Sequence, residues 1–244
     1  MSDASPLPQT VLCIPGPWQT RDALVDAVVR SDSGYLFAGQ ILLHMPSGQS
    51  FELDFQPSDP RMAAAFRSAG PHWAASAAMG RIGEHAAVAY LVGHGGSRAN
   101  AEALMGAAAA LLDAGGLGVK VESSGLAHSP DDWRRLCAER HLFSAHRAYV
   151  LYVTGSQVYT CGMHNLGLRD AVADNFDNNT AAVVELVRTF TWYLFTEAPD
   201  LRAGQSFAVA ADAPVYRLRE KPGVVYEDGS LFADPYGFWR LERA

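Results

Sequence analysis

The segment from residue 86 to residue 116 reads AAVAYLVGHGGSRANAEALMGAAAALLDAGG, and its pattern decides the fold. Its first seven residues form an apolar run of strand length, which Gly93-His94-Gly95-Gly96 ends. Ser97 then precedes an alanine-rich stretch whose apolar residues recur at helical spacing, so we predict a capped helix. Gly115-Gly116 ends this helix, and Leu117–Val121 is predicted to be the next strand. The segment is therefore a strand–turn–helix–strand unit.

A similar unit is predicted near the start of the chain. Val11–Ile14 is an apolar run closed by Pro15-Gly16-Pro17, and Thr20 caps a helix expected to end near Ser31. The two units suggest two related βαββ-type halves, at about 10–80 and 86–244. We expect both halves to belong to one α+β domain that spans residues 10–244 and follows a loose tail.

The remaining predicted elements fix the fold class. A capping hydroxyl and a first-turn proline at Ser129-Pro130 predict a helix, and Val183–Leu194 has a clear helical stripe. The predicted later strands are Ala148–Val153, Gln157–Cys161, Phe207–Ala210, Pro214–Leu218, Val224–Tyr226 and Phe238–Leu241. Because short turns separate most strands, we predict an α+β fold with mostly antiparallel sheets and helices packed on one face.

Composition excludes several classes of protein. The chain has 244 residues, 49% of them apolar and 18% charged, which is typical of a globular protein. Nineteen Lys and Arg face 26 Asp and Glu, and this net charge of −7 argues against a nucleic-acid partner. There is no apolar run of membrane-spanning length, and the first nine residues lack the pattern of a secretory signal. With three scattered cysteines and no disulfide framework, we expect a cytoplasmic protein.

The strongest catalytic candidate is Cys161-Gly162-Met163-His164, with Asp170 following it. A thiolate nucleophile needs a nearby base and a group that orients the base, and this short segment contains all three residue types. Nearness in sequence is weak evidence for such geometry. We therefore favour a structural interpretation, in which Cys161 is a small apolar group at a strand end and His164 forms local hydrogen bonds.

A second group of candidates follows the strand Leu117–Val121. Glu122, Ser124 and His128 occupy a predicted loop, where an acid, a hydroxyl and an imidazole can bind a polar ligand or transfer protons. Glu122 and His128 have no evident structural role. With His164, these three residues are our candidate ligand-binding residues. They join the Cys161 group if the two strands adjoin in one sheet.

Other motifs predict no further chemistry. Gly93-His94-Gly95-Gly96-Ser97 has the position of an anion-binding turn, but the chain lacks the partner motifs of lipases, dinucleotide-binding proteins and P-loop proteins. One C-x2-H pair supplies two of the four ligands of a structural zinc site, so we predict no metal and no cofactor. The aromatic cluster Tyr226, Phe232, Tyr236, Phe238 and Trp239, with Trp192 and Tyr193, is interpreted mostly as packing.

The second half of the chain resembles a bacterial family known as domain of unknown function 4261. The residues that carry the resemblance are Leu111–Gly116, Val121–Gly125, Ala127–Ser129 with Trp133, Tyr159–His164 with Gly167–Asp170, and Pro235–Leu241. They span about half of the chain. The resemblance implies a bacterial protein and no particular activity.

Two functions of different classes follow. We favour a non-enzymatic binding protein, such as an accessory or immunity protein that covers a basic site on a toxin or effector, because the chain is acidic and no motif is complete. The alternative is a hydrolytic or thiol-dependent enzyme that uses Cys161 and His164 with Glu122 and His128. The oligomeric state is left open.

Overall fold

The computed structural model describes residues 8–139, 143–175, 179–224, 227 and 230–244. Within these residues the first sheet has seven strands in the order β2-β3-β4-β5-β1-β6-β7, and every neighbouring pair is antiparallel. The strands are β1 Gln9–Gly16, β2 Tyr35–Ala38, β3 Ile41–His44, β4 Ser50–Pro57, β5 Ala87–His94, β6 Val119–Val121 and β7 Leu126–His128. The two predicted units thus contribute to a single sheet, with their first strands, β1 and β5, side by side.

The second sheet comes from the later part of the chain. Over the described residues it has six strands in the order β11-β12-β13-β10-β9-β8, and only the β10–β13 pair is parallel. The strands are β8 Leu151–Thr154, β9 Gln157–Cys161, β10 Asp170–Asp174, β11 Ser206–Phe207, β12 Tyr216–Lys221 and β13 Phe238–Arg243. This sheet carries the candidate site described below.

Helices pack on both sheets. The α-helices in the described ranges are α1 Arg21–Arg30, α2 Met62–Ala69, α3 Ala77–Arg81, α4 Arg98–Asp113, α5 Pro130–Glu139, α6 Ser144–Tyr149 and α7 Thr180–Glu197. Helix α4 packs on β1 and β5, whereas α7 packs on β8, β9 and β10. One continuous core contains residues of both sheets and of both helices.

Strand β1 shows that helices lie on both faces of the first sheet. Leu12 and Ile14 belong to the large core together with α4, whereas Cys13 between them packs in a second core with Phe66 of α2 and Trp73. The predicted α+β class with mostly antiparallel sheets is confirmed. The difference from the expected one-sided packing arises because α2, α3 and the two short 3-10 helices near them fold over the opposite face.

The helix starts predicted from capping side chains agree with the structure for three helices. The Oγ atoms of Thr20, Ser97 and Ser129 accept hydrogen bonds from the backbone N–H groups of Ala23, Asn100 and Asp132, at 3.2, 3.1 and 3.1 Å. Sequence reasoning missed the short helix α6 and the strands β7 and β10. Val224 lies outside any strand, and residues 225–226 of that predicted strand fall outside the described residues, as does most of the predicted tail.

Candidate functional site

A cavity of about 300 Å³ lies on the face of the second sheet that points away from α7. Side chains alternate along β9, so that Val158 is buried in the core while Tyr159 and Cys161 line the cavity. The segment between β12 and β13 contributes further lining residues. The cavity has apolar walls, formed by Tyr159, Val172, Val224, Phe232 and Phe238, and a polar end, formed by Cys161, His164, Asp170 and Asp234. We call it the acidic pocket.

The end of β9 positions the polar residues. Gly162 has φ of +115°, and a Cβ atom there would lie 2.2 Å from the carbonyl oxygen of Tyr149, so only glycine fits. The chain then forms a 3-10 turn, Met163–Leu166, that buries the His164 side chain to 1% exposure. Strand β10 begins at Asp170. The spacing from Cys161 to Asp170 therefore brings thiol, imidazole and carboxylate to one end of the pocket.

Two residues of this end, Asp170 and His164, differ in how well they are satisfied. The two Asp170 carboxylate oxygens accept hydrogen bonds from the backbone N–H groups of Gly162 and Met163, at 3.3 and 3.2 Å. The Nδ1 atom of His164 lies 4.0 Å from Oδ2 of Asp170, too far for a hydrogen bond. Both His164 ring nitrogens are buried without a partner among the described residues. Because buried polar atoms are nearly always paired, this imidazole indicates space for a ligand atom or water.

Asp234 supplies a second carboxylate to the same end. Its Oδ1 atom accepts a hydrogen bond from the backbone N–H of Tyr236 at 2.9 Å, while its Oδ2 atom is buried without a partner in the described part of the chain. Burial, followed by the negative charge of Asp170, raises the pKa of Asp234 to about 6. The pocket therefore holds a carboxylate oxygen that has no hydrogen-bond donor among the described residues.

The thiol of Cys161 is not activated. Burial raises its pKa to about 12, and the neighbouring carboxylates Asp170 and Asp234 add to this shift. Its Sγ atom lies 3.7 Å from the carbonyl oxygen of Ser123, to which the thiol donates a weak hydrogen bond. At neutral pH the group is thus a protonated thiol and a poor nucleophile.

The other predicted site residues lie elsewhere. Glu122 forms an ion pair with Lys120 at 2.5 Å, and Ser124 is buried beside Gly162 with its hydroxyl unpartnered among the described residues. His128 lies on strand β7 rather than on a loop, and its Nε2 atom is 2.9 Å from the carbonyl oxygen of Ala148. The structure therefore brings Cys161 and His164 together but does not place Glu122 or His128 with them.

The two candidate segments nevertheless meet, although β6 and β9 belong to different sheets. Asn165 joins them: its Oδ1 accepts hydrogen bonds from the hydroxyls of Thr10 and Ser123, at 2.7 and 3.0 Å. Its Nδ2 donates to the carbonyl oxygen of Gly162 at 2.9 Å. All four residues are buried or nearly so, and this network fixes the turn that carries His164.

Sequence reasoning missed Asp234 and the apolar walls. The sequence pattern assigns no role to Asp234 and favours packing for most of the aromatic cluster. Trp239 does belong to the core, but its neighbour Phe238 lines the pocket, while Tyr226 lies outside the described residues. Because side chains alternate along a strand, Trp239 and its neighbour Phe238 point to opposite faces of the sheet, one to the core and the other to the pocket.

In the ranges that the structure describes, no three histidine, cysteine or acidic side chains are grouped to hold a metal ion. None of the helices described here has both the length and the apolar character needed to cross a membrane. No model of a known protein family, no curated protein and no solved structure matches the chain.

Proposed function

We propose that the protein is a binding protein whose acidic pocket holds a small ligand with a protonated amine and an apolar body. One observation carries this proposal: the Oδ2 atom of Asp234 and the ring nitrogens of His164 are buried without partners at the end of an apolar-walled cavity. Unpaired buried polar atoms are costly, so such a constellation is typical of a binding site.

An ammonium group matches the available acceptors. It has three N–H donors and no acceptor. Oδ2 of Asp234 and the remaining lone pairs of Asp170 supply acceptors, and the unpartnered ring nitrogens of His164 lie beside them. A hydrogen bond between charged groups is short and roughly twice as strong as a neutral one. A protonated amine therefore satisfies this end of the pocket better than a neutral ligand does.

The volume of the pocket restricts the kind of basic partner that can enter it. A volume of about 300 Å³ fits one small molecule or one side chain rather than a broad basic surface. The exposed Lys221 also lines the pocket and supplies a cation for a ligand that bears a carboxylate as well. A lysine side chain presented by a basic toxin is the competing occupant, and it lacks the aromatic body of the amine used in the test below.

A hydrolytic or thiol-dependent enzyme is the alternative function, and the shared position of Cys161 and His164 favours it. Its nucleophile would be a thiolate, whereas burial and two carboxylates hold the Cys161 thiol in its protonated form. Its other predicted residues, Glu122 and His128, are engaged elsewhere. The geometry thus supports binding better than nucleophilic catalysis.

Calorimetric titration with 2-phenylethylamine tests the proposal, with 2-phenylethanol as the neutral ligand of the same shape. We expect the amine to bind at least about tenfold more tightly than the alcohol, because it gains charge-assisted hydrogen bonds. Asp234→Asn should weaken amine binding by about ten- to a hundredfold. Asp26→Asn, which removes an exposed carboxylate on α1, is the matched control and should change it less than about twofold.

Two results contradict the proposal. One is the absence of saturable amine binding up to about 10 mM, a weak-binding limit for a ligand of this size. The other is equal affinity for the amine and the alcohol, which shows that the carboxylate has no role.

A further inference from the structure

A second cavity, of about 430 Å³, lies where the edges of the two sheets meet. Strand β7 is the edge of the first sheet and β8 is the edge of the second, and helices α5, α6 and α7 contribute side chains around the opening. The lining residues that matter here are His128, Arg135, His146, Arg147, Arg188 and Trp192. We call it the arginine cavity. It shares no lining residue with the acidic pocket.

The charge of this cavity is opposite to that of the whole protein. Three guanidinium groups line it, against a single carboxylate, Asp132, among its described lining residues. Two of the arginines have acidic neighbours: Arg135 pairs with Asp132, and Arg188 with Glu185. Arg147 has no acidic partner among the residues described. A chain of net charge −7 thus gathers excess positive charge at one concave site.

Two buried nitrogen atoms of the cavity residues lack partners. His146 is 1% exposed, and its Nε2 atom has no hydrogen-bond partner in the described structure. The same holds for the buried Nε–H of Arg188. Burial lowers the pKa of His146 to about 4, so at neutral pH the ring is uncharged and can donate one N–H. The unsatisfied Arg188 N–H, the unpartnered imidazole nitrogen and the three arginines together indicate a ligand rich in oxygen acceptors.

The remaining walls indicate what else the ligand carries. Trp192 stacks on Phe143 with ring centroids 4.7 Å apart, and the Arg188 guanidinium lies 5.1 Å from the Trp192 ring centre. Tyr152, Leu136 and Val150 add apolar surface to the cavity. Such walls suit a flat apolar group next to the charged one.

We propose that the arginine cavity binds a phosphate monoester with a flat apolar body. A phosphate has three terminal oxygens and close to two negative charges at neutral pH, and the planar guanidinium fork matches its geometry. Arg147 supplies the uncommitted charge, Arg188 and His146 supply the unpartnered N–H groups, and Trp192 contacts the body of the ligand. This site is independent of the acidic pocket.

Titration of the whole protein with phenyl phosphate tests this site, with inorganic phosphate as the probe that lacks the apolar body. We expect phenyl phosphate to bind at least about tenfold more tightly than inorganic phosphate. Arg147→Gln should weaken its binding by about ten- to a hundredfold, because a charged hydrogen-bond donor is lost. Arg147 is exposed, so this variant should fold normally.

Matched controls separate a specific site from general charge. Arg217→Gln removes an exposed arginine on β12, outside the cavity, and should change the affinity by less than about twofold. Asp234→Asn should also leave it unchanged. The proposal is overturned by equal effects of the variants at 147 and 217, or by no saturable binding of phenyl phosphate up to about 10 mM.

Discussion

Replacing Asp234 by asparagine should stabilise the protein at alkaline pH while it removes the carboxylate that we propose binds an amine. The ordinary pKa of an aspartate is about 4, and in the native protein that of Asp234 is about 6. Between these values the native state holds a proton that the unfolded chain has released. The free energy of unfolding therefore falls as pH rises through this window, and above it the full cost of the buried charge is present.

The size of the effect follows from the shift. A shift of this size corresponds to roughly 3 kcal/mol, and because Asp234 is half-buried and solvent screens part of its charge, we expect about 1 to 2 kcal/mol. Urea unfolding at about pH 8 should show Asp234→Asn more stable than wild type by this amount, and the difference should fade by about pH 4. Asp26→Asn should show no such pH-dependent gain. Equal or lower stability of Asp234→Asn at about pH 8 would refute the reasoning.

Three further predictions concern the turn that carries His164. Iodoacetamide should label Cys161 at least about tenfold more slowly in the native protein than in denaturant, as measured by mass spectrometry. Fast labelling of the native protein would support the thiol-dependent enzyme instead. Gly162→Ala should lower the free energy of unfolding in urea by about 3 kcal/mol or more, because the added methyl group collides with the backbone. The control Gly48→Ala should lower it by only about 1 kcal/mol, because Gly48 also has a positive φ but lies in open space. Asn165→Ala should cost about 2 to 4 kcal/mol by thermal or urea unfolding, since two buried hydroxyls lose their acceptor; a loss below about 0.5 kcal/mol would show that the network is unimportant.

Local signals predicted most of the elements because the physics that fixes them is local. Thr20, Ser97 and Ser129 cap helices through hydrogen bonds to backbone three residues ahead, so their roles are visible in sequence. The sequence does not reveal the strands β7 and β10, because each is only three to five residues long and is stabilised by its neighbours in the sheet. Strand β7 pairs with β6, and β10 pairs with β9 and β13.

The candidate site was only partly predictable because tertiary packing decides which polar residues are satisfied. Cys161 and His164 lie close in sequence and do share a pocket, but Asp234, 70 positions after His164, joins them only through the parallel pairing of β10 with β13. Glu122 has no evident role in the sequence, yet it forms an ion pair with Lys120 two residues earlier. Contacts of this kind depend on how the chain packs, and a sequence motif contains no information about packing.

A crystal structure of the protein soaked in 2-phenylethylamine at about pH 8, where Asp234 is ionised, tests the central claim most directly. We predict the ammonium nitrogen within about 3 Å of Oδ2 of Asp234, with the phenyl ring between Tyr159 and Phe238. A pocket that holds only water under these conditions, or an amine bound with its nitrogen away from both Asp234 and His164, would contradict the account.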